Sequence, residues 1–351
     1  MLTFLFERII FDTMKLTLQT KSYKLFLKHP FTISRSTRTH QDTVILSVSD
    51  GVTTGYGEAI PYPYYNITLE KIEESVLKSK NIVENAFGMY PDDLWNQLEP
   101  NLKDDYFTLC AINCAYWDFY AKSHNRTTRS FFCDETATPL SDYTIGIDSI
   151  EVMKQKILET PWPIYKIKLG TEHDVEIVSE LRKVTDAIFR IDANCAWTVD
   201  ETLENAIKLK ELGVEFIEQP LKANDWEGMK RLKQECILPL IADESCQRYE
   251  DVEKCAEGFH GINIKLMKCG GLTPALKMIN KARELNLKVM AGCMAESTVG
   301  ISNLVQIASL LDYIDADGGM LLKNDTAKGI KLEFGNIIYP NSNGSGVTEL
   351  F

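Results

Sequence analysis

The chain has 351 residues, 44% of them apolar and 10% aromatic, enough for a large core and about two domains of ordinary size. Its net charge of -12 argues against nucleic acid or an anionic membrane surface as partner, and no apolar run approaches the length of a membrane span. Nine cysteines lie scattered without a CxxC pair, which indicates reduced thiols in the cytoplasm rather than a disulfide or zinc framework.

The opening MLTFLF is interrupted by Glu7 and Arg8 and has no basic segment before it, so it does not read as a signal peptide. Regular patterning begins only after Met14, and residues 1–14 are expected to be a non-native or poorly ordered extension. Residues 16–27 partly alternate and read as a strand, followed by a polar loop, HPFTISRSTRTHQ. TVILSVSDGVTTGYGEAI reads as a hairpin about Asp50-Gly51. Helical spacing over 68–90 and 105–123 completes an α+β unit spanning 15–140.

From Tyr143 the pattern becomes an alternation of short strand and helix. TIGI, YKIKL, FRIDA, EFIEQ, PLIAD, INIKL, LKVMAG and YIDAD are eight candidate strands, separated by helices such as 172–187, 200–212, 273–286 and 297–311. Such alternation predicts an α/β fold, a (β/α) TIM-like barrel over 141–318 carrying the α+β unit as a cap. The turn-rich residues 319–351 are expected to return to that cap.

Five of the strands end in charge that apolar burial does not explain. Lys168, Asp192, Glu218, Asp243 and Lys265 are separated by 24, 26, 25 and 22 residues, the length of one strand, one helix and two loops. In a parallel barrel the loops after the strands open on one face, so these side chains converge. Asp192, Glu218 and Asp243 offer hard oxygens without His or Cys, a ligand set suited to Mg²⁺. Lys166 and Lys168, two apart on a strand, point to one side, and Lys265 comes from a strand nearly opposite. Burial and a neighbouring cation would both favour a neutral lysine and lower its pKa toward that of a base. The implied reaction is removal of a proton α to a carboxylate on one face of a carbon and its return on the other. The five histidines all miss the predicted strand ends, which disfavours a His-based racemase.

KIK at 166–168, DAN at 192–194, EQP at 218–220, ADES at 242–245 and NIKLMKCGG at 263–271 resemble the muconate-lactonizing branch of the enolase superfamily. The similarity runs from about residue 15 and includes GYGEA and PYP in the cap. It implies that Lys168 and Lys265 are the acid/base pair. Within that branch, GCMAES at 292–297 and DADG at 315–318 resemble the dipeptide epimerases. This implies a dipeptide substrate of the Ala-Glu kind, with its ammonium on Asp315 and Asp317. It also implies Lys166, Asn194, Glu296 and Ser297 in the substrate pocket, and PFTISRSTR as a capping loop in which Arg35 or Arg38 could pair with an acidic side chain. Where that group often has DGP, this chain has Asp317-Gly318-Gly319. An o-succinylbenzoate synthase, N-acylamino acid racemase or cycloisomerase would use the same framework without an ammonium site. A Schiff-base aldolase would also use a barrel lysine. The oligomeric state is left open, a homo-oligomer included.

Overall fold

The computed structural model describes residues 14–351, so the expected N-terminal extension falls, except for Met14, outside the described residues. Strands β1 (Thr17–Ile33), β2 (Ser36–Ser49) and β3 (Thr54–Ala59) form an antiparallel sheet in sequence order. The turn at Asp50-Gly51 is present: Asp50 Oδ1 accepts from the backbone N–H of Val52 and of Thr53 at 2.9 and 2.7 Å.

The segment read as a polar loop is instead the far end of the β1–β2 hairpin. Phe31, Thr32 and Ile33 pair with Arg38, Thr37 and Ser36, and the chain reverses at Ser34-Arg35. The ladder breaks between Phe26 and Phe31, where Pro30 has no N–H to donate. There the C-terminal segment takes over, with Leu27 bridging Leu322 and the Lys323 N–H donating to Phe26 O at 2.7 Å. No residue from 28 to 40 is buried, so no hydrophobic alternation betrays the strands.

The helix expected over 68–90 stops at Glu84, and the next helix begins beyond that range. Thr68 caps Leu69–Glu84, Gly88 adopts a φ of 77° that a helix cannot continue through, and a second helix starts at Pro91 and runs to Leu98. Helix Tyr106–Ser123 lies on the sheet and is buried along most of its length. GYGEA permits this approach: a Cβ on Gly55 would fall 2.1 Å from Ala115 O, and one on Gly57 2.0 Å from Ala111 O. Because that neighbour is backbone, Gly57→Ala must push helix and sheet apart and should destabilise the protein by about 1–3 kcal/mol. A urea midpoint equal to that of the parent would contradict the close packing.

Eight strands form the second sheet: β4 (Tyr143–Ile145), β5 (Ile164–Lys168), β6 (Ile188–Asp192), β7 (Val214–Glu218), β8 (Leu240–Ala242), β9 (Gly261–Ile264), β10 (Lys288–Gly292) and β11 (Tyr313–Asp315). They pair in parallel in sequence order. Ser141, just before β4, bridges Ile314 of β11, and its Oγ accepts from the Ala316 N–H at 3.0 Å, which brings the sheet round on itself. This is the expected TIM-like barrel. The helix read over 297–311 is α-helical only from Thr298 to Leu304 and tightens to 3₁₀ from Val305 to Leu310.

Beyond the barrel, β12 (Ala327–Lys328) pairs with the terminal strand Glu349–Leu350. Ala327 and Val347 share an apolar cluster with Ile45 of β2 and with Val299. The Ser345 N–H donates to Asp118 Oδ1 at 2.6 Å, and Lys122 Nζ donates to Val347 O at 3.2 Å. The last residues are thus held against the first sheet and its helix.

Candidate active site

Parallel register aligns the charged strand ends. Lys168, Asp192 and Glu218 pair in one row across β5, β6 and β7. Asp243 and Lys265 each follow their strand by one residue, and Asp315 ends β11. One oxygen from each of Asp192, Glu218 and Asp243 lies within 4.8 Å of the others, and all three residues are buried.

The lysines interleave with these acids. Lys166 Nζ is 3.0 Å from Asp315 Oδ2, 2.8 Å from Glu218 Oε2 and 3.6 Å from Asp192 Oδ2. Lys168 pairs with Asp192, and Lys265 Nζ is 2.9 Å from Asp243 Oδ2. With β5 and β9 four places apart in the sheet of eight, Lys168 and Lys265 enter one cleft from opposite walls.

Two further residues hold the acids in place. Lys268 Nζ donates to Asp243 Oδ1 at 2.6 Å and to Cys246 O at 2.8 Å, and Asn263 Nδ2 donates to Glu218 Oε1 at 2.8 Å. Their signal in the sequence was spacing from Lys265. Asn263 shares its side of β9, and Lys268 lies in the short helix Leu266–Cys269 that begins immediately after it.

The donor set fits a small, hard divalent cation. The ligand group contains only carboxylates, and Glu218 Oε2 makes no hydrogen bond, since Lys166 lies near it without the alignment to donate. Burial opposes the charge of Asp192, but Lys168 and Lys166 outweigh it and hold that carboxyl below its usual range. Asp243 is held well below by Lys265 and Lys268 against the same penalty, whereas burial and Asp192 push Glu218 up to about 7.

The expected downward shift of the lysine base is not found at Lys265. Burial does lower its pKa, but the Asp243 carboxylate outweighs burial and holds the ammonium well above the usual lysine range. Cancelling the field of Asp243 is what a bound divalent cation would supply.

Asn194, Asp315, Asp317, Arg35 and Arg38 line the cleft. Burial, then Asp315, push Asp317 up to about 8. Lys166 lies beneath the lining among the carboxylates. Like Lys166, Glu296 and Ser297 were expected in the pocket and do not line the cleft. Glu58 draws Ser297 away: reaching over from β3, its carboxylate accepts from Ser297 Oγ at 2.5 Å, from the Ser297 N–H at 3.0 Å and from the Gly300 N–H at 2.9 Å. Glu296 Oε1 folds back onto the Met294 N–H at 2.8 Å. Both therefore shape the loop after β10, whose Cys293, Met294 and Ala295 form part of the wall.

A parallel barrel with a three-carboxylate cluster at its strand ends, two opposed lysines and an α+β cap defines an enolase-like acid–base enzyme. The chain belongs to the mandelate racemase/muconate lactonizing enzyme family: that family's N-terminal domain matches residues 16–130, and the enolase C-terminal domain-like region matches residues 149–348. It is 50% identical over 338 residues to an L-Ala-D/L-amino acid epimerase of Flavobacterium johnsoniae, covering 96% of this chain and 100% of that one. A Maribacter enzyme of the same name is 50% identical over 330 residues, with 93% and 98% covered. Among solved structures, the dipeptide epimerase of Enterococcus faecalis complexed with Mg and L-Leu-L-Tyr superimposes with a TM-score of 0.89 at 27% identity, over 96% of this chain and 100% of that one.

Proposed function

We propose that the protein is a Mg²⁺-dependent dipeptide epimerase, an isomerase that inverts the α-carbon of the C-terminal residue of an L-Ala-X dipeptide. The observation that carries this reading is the opposition of Lys168 and Lys265 across a cleft that also holds Asp315 and Asp317. Asp192, Glu218 and Asp243 would hold the Mg²⁺, which when bound stabilises the charge that develops on the substrate carboxylate as the α-proton leaves.

The chain's own residues do the rest. Lys168 removes the proton from one face, Lys265 delivers one to the other, and the roles exchange for the opposite epimer. Lys166, between Glu218 and Asp315, couples the carboxylate cluster to the ammonium site and spares those acids mutual repulsion. Phe31, Ile33 and Tyr65 come from the cap and shut water out of the cleft. The relatives' names support alanine as the first residue, and the Mg in the Enterococcus faecalis complex supports the cation. Nine unpaired cysteines, and no helix among the described residues long and apolar enough to cross a membrane, fit a cytoplasmic enzyme.

The paired acids Asp315 and Asp317 favour a free ammonium over the N-acyl and cycloisomerase alternatives. α-Deuterium incorporation in D₂O, followed by NMR with free and N-acetylated L-Ala-X, tests this. Acetylation removes the charge those carboxylates would bind, so kcat/KM should fall about 10- to 100-fold. In an Asp315→Asn, Asp317→Asn double mutant the two substrates should differ much less. A parent enzyme that prefers the N-acyl substrate would replace this reading by an N-acylamino acid racemase.

A further inference from the structure

The two arginines of the cleft differ in what neutralises them. Arg38 donates to a neutral amide, Gln41 Oε1, at 2.7 Å and lies 4.2 Å over the Tyr62 ring. Arg35 donates to a carboxylate, Glu244 Oε1, at 2.7 Å, and the Glu244 side chain is 2% exposed while that of Arg35 is 31% exposed. Arg35 sits at the reversal between β1 and β2, and Glu244 directly follows Asp243 after β8, so the pair joins cap to barrel within the cleft. A guanidinium already matched by a carboxylate offers little net field to a second anion, which would also meet Glu244 itself.

We infer that Glu244 determines side-chain specificity by engaging Arg35, withholding it from acidic residues at the epimerised position. This rests on the epimerase reading above and adds a residue to it. The pair is close to electroneutral, so the cleft does not favour an acidic over an uncharged side chain on account of Arg35. Arg38, whose partner is neutral, is unaffected by the state of Glu244.

The test is the ratio of kcat/KM for L-Ala-L-Glu to that for the nearly isosteric L-Ala-L-Gln, at saturating Mg²⁺, so that general effects of a change beside Asp243 cancel. Glu244→Gln frees the guanidinium and should raise the ratio about tenfold, through one charge-assisted hydrogen bond gained and one repulsion removed. Arg35→Ala leaves Glu244 uncompensated and should lower it. The double mutant restores neutrality and should return to the parent value. An unchanged ratio in Glu244→Gln overturns the inference. So does a double mutant far below the parent, since Arg35 would then already read the acidic side chain. Glu244→Ala serves the same comparison where Glu244→Gln fails to fold. A parent enzyme that exchanges neither peptide's α-proton overturns the epimerase reading, and this inference with it.

Discussion

Chelation of the divalent cation should abolish epimerisation, and Mg²⁺ should restore it. Five carboxylates, Asp192, Glu218, Asp243, Asp315 and Asp317, meet four ammonium groups, Lys166, Lys168, Lys265 and Lys268, in a buried site. For proton abstraction one of those lysines must start neutral, which takes one positive charge away from the acids unless a cation joins them. The same cation must take up the charge that appears on the substrate, so its loss should reduce kcat by about 10³-fold or more. Asp192→Asn, Glu218→Gln and Asp243→Asn should each weaken Mg²⁺ binding. A readout independent of turnover is thermal: Mg²⁺ should raise the Tm of the parent, because a ligand of the native state stabilises it, and should raise that of Asp243→Asn less. Full activity in enzyme verified to be metal-free would refute the assignment.

Replacing either opposed lysine should stop inversion while sparing half of the proton chemistry. With Lys168→Ala, the face served by Lys265 keeps its base, so one epimer should still exchange its α-proton with D₂O; with Lys265→Ala the other epimer should do so. Loss of a general base or acid contributes about 10²- to 10⁴-fold, so epimerisation in either mutant should drop by that much. The decisive observation is the crossed pattern of exchange. Two single mutants that both epimerise normally would exclude the pairing. Lys268→Ala is a useful contrast, since Lys268 holds Asp243 from behind and does not line the cleft.

The barrel was legible in the sequence because each of its strands is a short apolar run ending at a repeated interval, and because parallel register turns that interval into a row of side chains. The charged members of that row could be named before any coordinates, since burial gives no reason for Lys, Asp or Glu at such places. What escaped detection lacks periodicity. The distal part of the β1–β2 hairpin has no buried residue on either face, so its composition reads as loop. The pairing of Arg35 with Glu244 spans 209 residues of sequence, and no local rule connects them. The hold of Glu58 on Ser297 escaped detection for the same reason, since the two lie 239 residues apart.

Glu58 also bears on how the molecule holds together. The residue is 2% exposed, and apart from Thr43 Oγ1 the hydrogen-bond donors to its carboxylate all belong to residues 297–300 of the barrel. Separating cap from barrel would exchange most of that acid's hydrogen bonds for water and leave the barrel a helix N-terminus without its anion. Cap and barrel are therefore tied through this one carboxylate, and the loop that forms one wall of the cleft is held in place by the unit that covers it.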